Sequence, residues 1–115
     1  MLPLENRLDL KRKFPYLKRN SLSFKSPLFV ALFHSNDLEG QKIGFVVSKK
    51  VGKAVVRQRV RRLLRESVRL NLEKFPHNID IAFIARLAMV GKKQNQVNLE
   101  VEKLAQFLNK AKEVN

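Results

Sequence analysis

The chain has 115 residues, with 24 Lys and Arg against 10 Asp and Glu and a formal net charge of +14. A hydrophobic content of 44% with only four Gly and four Pro excludes a disordered basic tail, and the absence of Cys excludes disulfides and thiolate metal sites. No stretch approaches about 18 apolar residues and no secretory signal is present, so we expect one soluble, cytoplasmic domain over residues 1–115. A charge this high is typical of proteins that meet nucleic-acid phosphates or an anionic membrane surface.

The first part of the chain predicts a short helix and a strand. The helix spans about Arg12–Arg19, where Pro15 is tolerable only in the first turn, because N–H groups there have no partner within the helix. Leu22 and Phe24 then alternate with polar residues, which is the period of a half-buried strand.

Two further strands and a turn follow. The apolar run Leu28–Phe33 predicts the second strand, and Lys42–Ser48 predicts the third. Between them lies the turn cluster Asn36–Gly40, which favours a hairpin that pairs the second strand with the third.

A long helix is predicted over about Ala54–Lys74, because its apolar residues recur at helical spacing. Its predicted core line comprises Val56, Val60, Leu63, Ser67 and Leu70. Arg57, Arg61, Arg65 and Arg69 are four apart, so they form one ridge on the other side of the helix, with Arg62 beside it. Residues 49–69 hold nine basic residues and one acidic residue, a local net charge of 9 − 1 = +8. Like charges at this spacing repel, so the ridge indicates a polyanionic partner.

The remaining elements complete the order αβββαβα. Phe75-Pro76 ends the long helix, and Ile79–Ala85 predicts a central strand that is buried on much of both faces. After a loop at Gly91–Asn95, Leu99–Val114 predicts an amphipathic helix. Its core positions are Val101, Leu104, Leu108 and Ala111.

No protein-borne active site is expected from the residue inventory. The acidic residues are scattered, and His34 and His77 are 43 positions apart, so neither clustered metal ligands nor a base beside a nucleophile is indicated. The arginine ridge favours nucleic acid, because guanidinium groups bind phosphate through two hydrogen bonds and stack on bases. A membrane-surface helix is the alternative use, although its apolar face carries no Trp or Phe.

Two arginines and one phenylalanine leave alternatives open. Arg59 lies on the flank opposite Arg57, so the two either contact different strands of nucleic acid or one of them braces the fold. Phe14 is either a core anchor of the first helix, which the sequence favours, or an exposed platform for an unpaired base, a use that the basic residues around it also suggest.

The segment from Lys49 to Glu66 (KKVGKAVVRQRVRRLLRE) closely resembles the signature of the protein subunit of bacterial ribonuclease P. The resemblance extends to Asn6-Arg7-Leu8 followed by Phe14, to the strand at Ile43–Ser48 and to the strand at Asp80–Ala85. It implies an α+β fold, a two-layer sandwich with a four-stranded sheet and a left-handed βαβ crossover, as in the second domain of ribosomal protein S5. It also implies that an RNA subunit removes the 5′ leader of precursor tRNA with Mg²⁺, which the RNA mainly holds, and that no organic cofactor takes part.

By this resemblance the protein is a non-catalytic monomer, one per catalytic RNA, that binds both that RNA and the leader. The residues implied to face the catalytic RNA are Lys49, Lys50, Lys53, Arg57, Arg59, Arg61, Arg62, Arg65 and Arg69. The leader cleft implied between the first helix and the sheet comprises Arg12, Phe14, Lys18, Val30, Leu32 and Val46.

Two departures from the family pattern bear on these expectations. Gln58 stands where Asn is usual, although its amide keeps the same donor and acceptor groups. Members often carry an aromatic residue where Lys18 or Leu32 stands here, which predicts less stacking and more electrostatic attraction on the leader. The alternative function is that of a ribosomal-type or chaperone-like RNA binder outside tRNA processing.

Overall fold

A computed structural model describes residues 6–36 and 40–114, with side chains described up to residue 110. Its helices are α1 (Leu10–Asn20), α2 (Ala54–Asn71) and α3 (Gln94–Val114), and its strands are β1 (Leu22–Lys25), β2 (Phe29–Ser35), β3 (Gly40–Val46) and β4 (Asn78–Ala85). Single 3₁₀ turns occupy Lys49–Val51, Leu72–Lys74 and Leu87–Met89. The described elements therefore follow the predicted order αβββαβα.

The four strands form one mixed sheet in the order β1-β2-β4-β3. β2 is antiparallel to both β1 and β4, whereas β3 is parallel to β4. The predicted hairpin between the second and third strands is therefore wrong, because β4 lies between them and pairs with both. The turn residues 37–39 lie outside the described residues. β3, α2 and β4 form a βαβ unit, and the left hand of its crossover stays a prediction.

The main core lies between the sheet and the layer formed by α2 and α3. Inward-facing Phe29, Phe83 and Ile81 pack there with Leu64 of α2 and Leu104 of α3, and all five are at most 1% exposed. Alternate strand residues face the other side of the sheet, where α1 lies. α1 covers that side through a small hydrophobic cluster, the α1 cluster, formed by Leu8, Leu17 and Ala82. This leaves part of the second sheet face open for a ligand.

The first and last helices are longer than predicted. α1 begins at Leu10, so Pro15 lies in its interior and not in its first turn. The carbonyl group of Lys11, which loses its partner to Pro15, belongs to an exposed residue that water can reach. α3 begins at Gln94, five residues early, because the Gln96 side chain accepts a hydrogen bond from the Lys93 backbone N–H at 2.9 Å and caps the helix start. The predicted core position Ala111 lies outside the described side chains.

A buried polar network joins α2 to α3. The Gln94 amide donates hydrogen bonds to the Leu63 carbonyl oxygen at 2.9 Å and to the Ser67 hydroxyl at 2.8 Å, and it approaches Asn98 Oδ1 at 3.1 Å. Ser67 is fully buried, so its position on the predicted core line is explained by these polar contacts. The network fixes the rotation of α2 relative to α3 and thereby fixes where the arginines point.

Candidate nucleic-acid interface

The arginine ridge, defined as Arg57, Arg61, Arg65 and Arg69, lies along one side of α2 as predicted. The buried face of α2 differs from the prediction: it comprises Val60, Leu64, Ser67, Val68 and Asn71, whereas Leu70 is 53% exposed. At 100° per residue this face is rotated by about 60° from the predicted core line toward the ridge. The ridge therefore borders the core, which explains why Arg57 and Arg61 are half-buried while Arg65 and Arg69 are exposed.

Arg57 and Arg59 point in different directions from α2. Arg59 is exposed on the outer face of the helix, beside Val55, Gln58 and Arg62. The Nε–H group of Arg57 is buried, and no acceptor for it is found within the described part of the chain. A buried donor without a partner is costly, and because this atom has almost no accessible surface a phosphate cannot reach it in this side-chain position.

The chain before α2 adds a second group of cations, the lysine turn, defined as Lys49, Lys50 and Lys53. Buried Val51 anchors the 3₁₀ turn and leaves all three lysines exposed. Gly52 follows with φ of +152°, and a Cβ atom there would lie 3.0 Å from Val56 Cγ1, so the entry into α2 requires glycine. Lys53 is the N-cap residue and makes no side-chain cap, so the first N–H groups of α2 remain available to an anion.

One member of the ridge is already paired. Arg69 Nη2 lies 2.6 Å from Glu66 Oε1, and this hydrogen bond lowers the pKa of Glu66 and raises that of Arg69. Among the side chains described, those of residues 6–36 and 40–110, no carboxylate forms an ion pair with the other eight cations predicted for the catalytic RNA. The paired Arg69 is therefore the least available of the nine predicted contacts.

The predicted leader cleft lies on the sheet face that α1 covers only in part. Val30, Ile84 and Val46 are aligned in one row across β2, β4 and β3, and each is half-buried. Phe14 and Leu32 pack against the neighbouring cluster around Leu17. These side chains form an apolar floor with α1 as its wall.

Phe14 is partly a core anchor of α1 and partly an exposed aromatic surface. Its ring is half-buried against the α1 cluster, and Lys18 Nζ lies 4.9 Å from the ring centroid. The exposed part of the ring remains available to a base. Arg12 and Lys18 are exposed on the same helix. Sequence analysis missed Ile84, although the period of two along β4 places it on this face with Ala82.

The two histidines lie apart and form no catalytic or metal-binding group with other side chains in the described part of the chain. His34 packs edge-on against Tyr16, with ring centroids 5.5 Å apart, and His77 is exposed beyond the end of α2. Asp80 is 6% exposed and accepts a hydrogen bond from Asn36 Nδ2 at 2.9 Å. Within the described residues, no group of three or more His, Cys, Asp or Glu side chains is arranged to hold a metal ion. Over the same residues, none of the helices has the length and apolarity needed to span a bilayer.

A partly covered mixed sheet with a polycationic helix at its edge defines the class: a small α+β domain that binds nucleic acid. Comparison with known proteins specifies the family. Residues 2–109 match the Ribonuclease P family model, so the chain belongs to that family. It therefore serves in tRNA 5′-end processing as a subunit of the endoribonuclease ribonuclease P, and the alternative of an RNA binder outside tRNA processing is not favoured.

The relatives agree along most of their length. The chain is 36% identical over 104 residues to a ribonuclease P protein component of Alkaliphilus oremlandii, covering 90% of this chain and 91% of the relative. It is 38% identical over 100 residues to that of Clostridium kluyveri, with coverages of 85% and 89%. The ribonuclease P protein structure from Thermotoga maritima superposes with a TM-score of 0.80 at 30% identity, over 86% of this chain and 94% of that chain. The family resemblance and the α+β fold are thus confirmed.

Proposed function

We propose that α2 and the lysine turn form the surface that binds the catalytic RNA of ribonuclease P. The main support for this proposal is that eight of the nine predicted cations make no ion pair with a carboxylate within the described side chains. Ordinary solvated helices alternate charges, whereas this one carries six arginines and one glutamate. One additional feature supports an RNA ligand: the start of α2 has no side-chain cap, so its first N–H groups are available to a phosphate.

The cleft beside α1 is proposed to hold the 5′ leader of precursor tRNA. Its apolar floor of Val30, Ile84 and Val46 accepts bases, whereas Arg12 and Lys18 attract the phosphates. Single-stranded RNA is recognised in this way because its bases are free to leave the stack. Since Lys18 and Leu32 stand where aromatic residues are frequent, attraction between charges contributes more here than stacking.

The chemistry is proposed to belong to the RNA, which mainly holds the catalytic Mg²⁺, while the protein offsets phosphate repulsion where RNA meets RNA. The protein acts as a monomer, one per catalytic RNA, in the cytoplasm. The test is cleavage of precursor tRNA by a bacterial ribonuclease P RNA at low Mg²⁺, with each component alone as a control. Cleavage that needs both components supports the proposal. Cleavage by the protein alone, or no gain when it is added, contradicts it.

The ridge itself is tested by Arg61→Met and Arg65→Met, which remove charge and keep apolar length. Each lost phosphate contact is expected to reduce the slope of log affinity against log salt by about 0.7–0.9, since fewer counterions are released. Lys103→Met is the matched control, because Lys103 is exposed on α3 and pairs with Glu100. Equal salt slopes for all three variants in a binding titration with the catalytic RNA would remove the ridge from the interface.

A further inference from the structure

A recess of about 230 Å³ lies at the outer edge of β3, on the side away from β4. Its cationic rim consists of Arg7, Arg61 and Arg65. Its accessible apolar lining comes from half-buried Leu10 and Phe45, since Leu8 and Ile43 also line it but are only 9% and 1% exposed. The leader cleft lies elsewhere, on the sheet face beside α1. The recess therefore is a second concave site, next to the inner side of the arginine ridge.

The walls of the recess come from three parts of the chain that the fold holds together. The Leu8 backbone N–H donates to the Ile43 carbonyl oxygen at 2.9 Å, and Arg7 pairs with Ile43 in a parallel bridge. The segment before α1 thus extends the sheet by a short piece beyond β3. Arg61 and Arg65 approach from the opposite side, one helical turn apart, because the face of α2 is rotated toward this edge.

The size and lining limit what the recess can hold. It is smaller than the about 300–1,000 Å³ typical of pockets for drug-sized ligands, so one small group fits. A bare phosphate would gain nothing from an apolar lining, and a base within a duplex presents its edge but not its face. An unstacked nucleotide has both features that the recess matches: an apolar planar base and an attached phosphate. Arginine also binds phosphate and base edges through paired hydrogen bonds.

We propose that this recess takes a single unstacked nucleotide of the RNA partner, with its base against Leu10 and Phe45 and its phosphate between Arg61 and Arg65. The inference deepens the proposed function, on which it rests for the identity of the RNA. It assigns to the inner side of the ridge a contact that holds one base, whereas the outer face of α2, with Arg59 and Arg62, contacts phosphates only.

The test is an NMR titration of the full chain with guanosine, adenosine, cytidine and uridine 5′-monophosphates, and separately with inorganic phosphate. We expect the backbone amides of Gly44 and Phe45, which line the recess, to shift with at least one nucleotide. Stacking on an apolar surface should lower the Kd for that nucleotide by on the order of tenfold relative to inorganic phosphate. The double variant Arg61→Met/Arg65→Met should abolish these shifts. The double variant Arg59→Met/Arg62→Met loses the same charge on the outer face and should retain them.

Several outcomes would overturn the inference. Equal Kd values for phosphate and all nucleotides would show a site for anions only, and shifts confined to other residues would place binding elsewhere. If the inner double variant does not fold, the comparison of nucleotide with phosphate on the unaltered protein still decides. The result is also separable from the proposed function, because rescue of precursor tRNA cleavage is measured independently and can fail while the recess binds nucleotides, or succeed while it does not.

Discussion

The exposed part of the Phe14 ring should contribute to binding of the leader, and Phe14→Ala should remove that contribution. Base stacking on a protein aromatic ring contributes about 1–3 kcal/mol. Here the ring is half-buried against the α1 cluster and Lys18 Nζ lies 4.9 Å from its centroid, so only part of its surface can meet a base. We therefore expect the lower part of the range, about 1–1.5 kcal/mol, which is a loss of about 5- to 13-fold in affinity.

The substitution also affects stability, and the assay must separate the two effects. Truncating a fully buried Phe costs about 3–5 kcal/mol, and for this half-buried ring we expect about half of that. Affinity should be measured for precursor tRNA with and without a leader, in the holoenzyme, at a temperature where the variant is folded by circular dichroism. The expected result is a loss for the substrate with a leader and no change for the leaderless one.

Tyr16→Ala is the matched control for this experiment. Tyr16 lies on the same helix and is 46% exposed, but its ring packs against His34 and not in the cleft. Its removal should leave the ratio between the two substrates unchanged. Equal losses for both substrates in Phe14→Ala, or the same change of the ratio in both variants, would refute the assignment of the cleft.

Three further predictions follow from the ion pairs and the polar network. Glu66→Gln should release Arg69 from its ion pair, so affinity for the catalytic RNA should rise and the slope of log affinity against log salt should steepen by up to about 0.9. An unchanged slope in a salt titration would place Arg69 outside the interface. Gln94→Ala should lower the free energy of unfolding by about 1–3 kcal/mol, because buried polar partners lose a hydrogen bond. It should also weaken RNA affinity, because the network fixes where the arginines point. Urea unfolding measures the first effect and a binding titration the second, and an unchanged affinity would show that the network does not position the ridge. Burial alone would raise the pKa of Glu100, but hydrogen bonds from Lys103 and Ser26 lower this pKa overall. The stabilising contribution of Glu100 is therefore present above its unfolded pKa of about 4.5 and is lost as pH falls through the lower folded value. Glu100→Gln should flatten the loss of stability on acidification, and identical acid unfolding curves for the variant and the unaltered protein would contradict this.

The elements were predictable because their signals are local. The four-residue spacing of the ridge, the alternation at Leu22 and Phe24 and the apolar run at Ile79–Ala85 each indicate an element without reference to the rest of the chain. Strand order is a property of the whole sheet, and the turn at Asn36–Gly40 favoured a hairpin that the insertion of β4 between β2 and β3 prevents. No local pattern indicates such an insertion.

The buried face of α2 was mispredicted for a related reason. Leu63 and Leu70 are as apolar as Leu64 and Val68, so hydrophobic periodicity alone cannot decide which side faces the core. The decision comes from α3, whose Gln94 binds the Leu63 carbonyl oxygen and the Ser67 hydroxyl and so fixes the rotation of the helix. This rotation half-buries Arg57 and Arg61, and the recess and the buried Arg57 Nε–H follow from it. The sequence predicts which residues bind RNA, but not which of them share a cavity.

The topology is consistent with the proposal that one small domain binds two RNA segments at once. β3 lies at the edge of the sheet, and Val46 at its end belongs to the cleft floor. Only two residues separate Val46 from Lys49, where the lysine turn begins. A leader in the cleft and catalytic RNA on α2 would therefore lie at opposite ends of one short, rigid segment whose backbone is held by β4 and buried Val51. Parallel pairing of β3 with β4 requires a crossover through a helix, so the same connection that completes the sheet carries the arginine ridge to the edge beside the cleft.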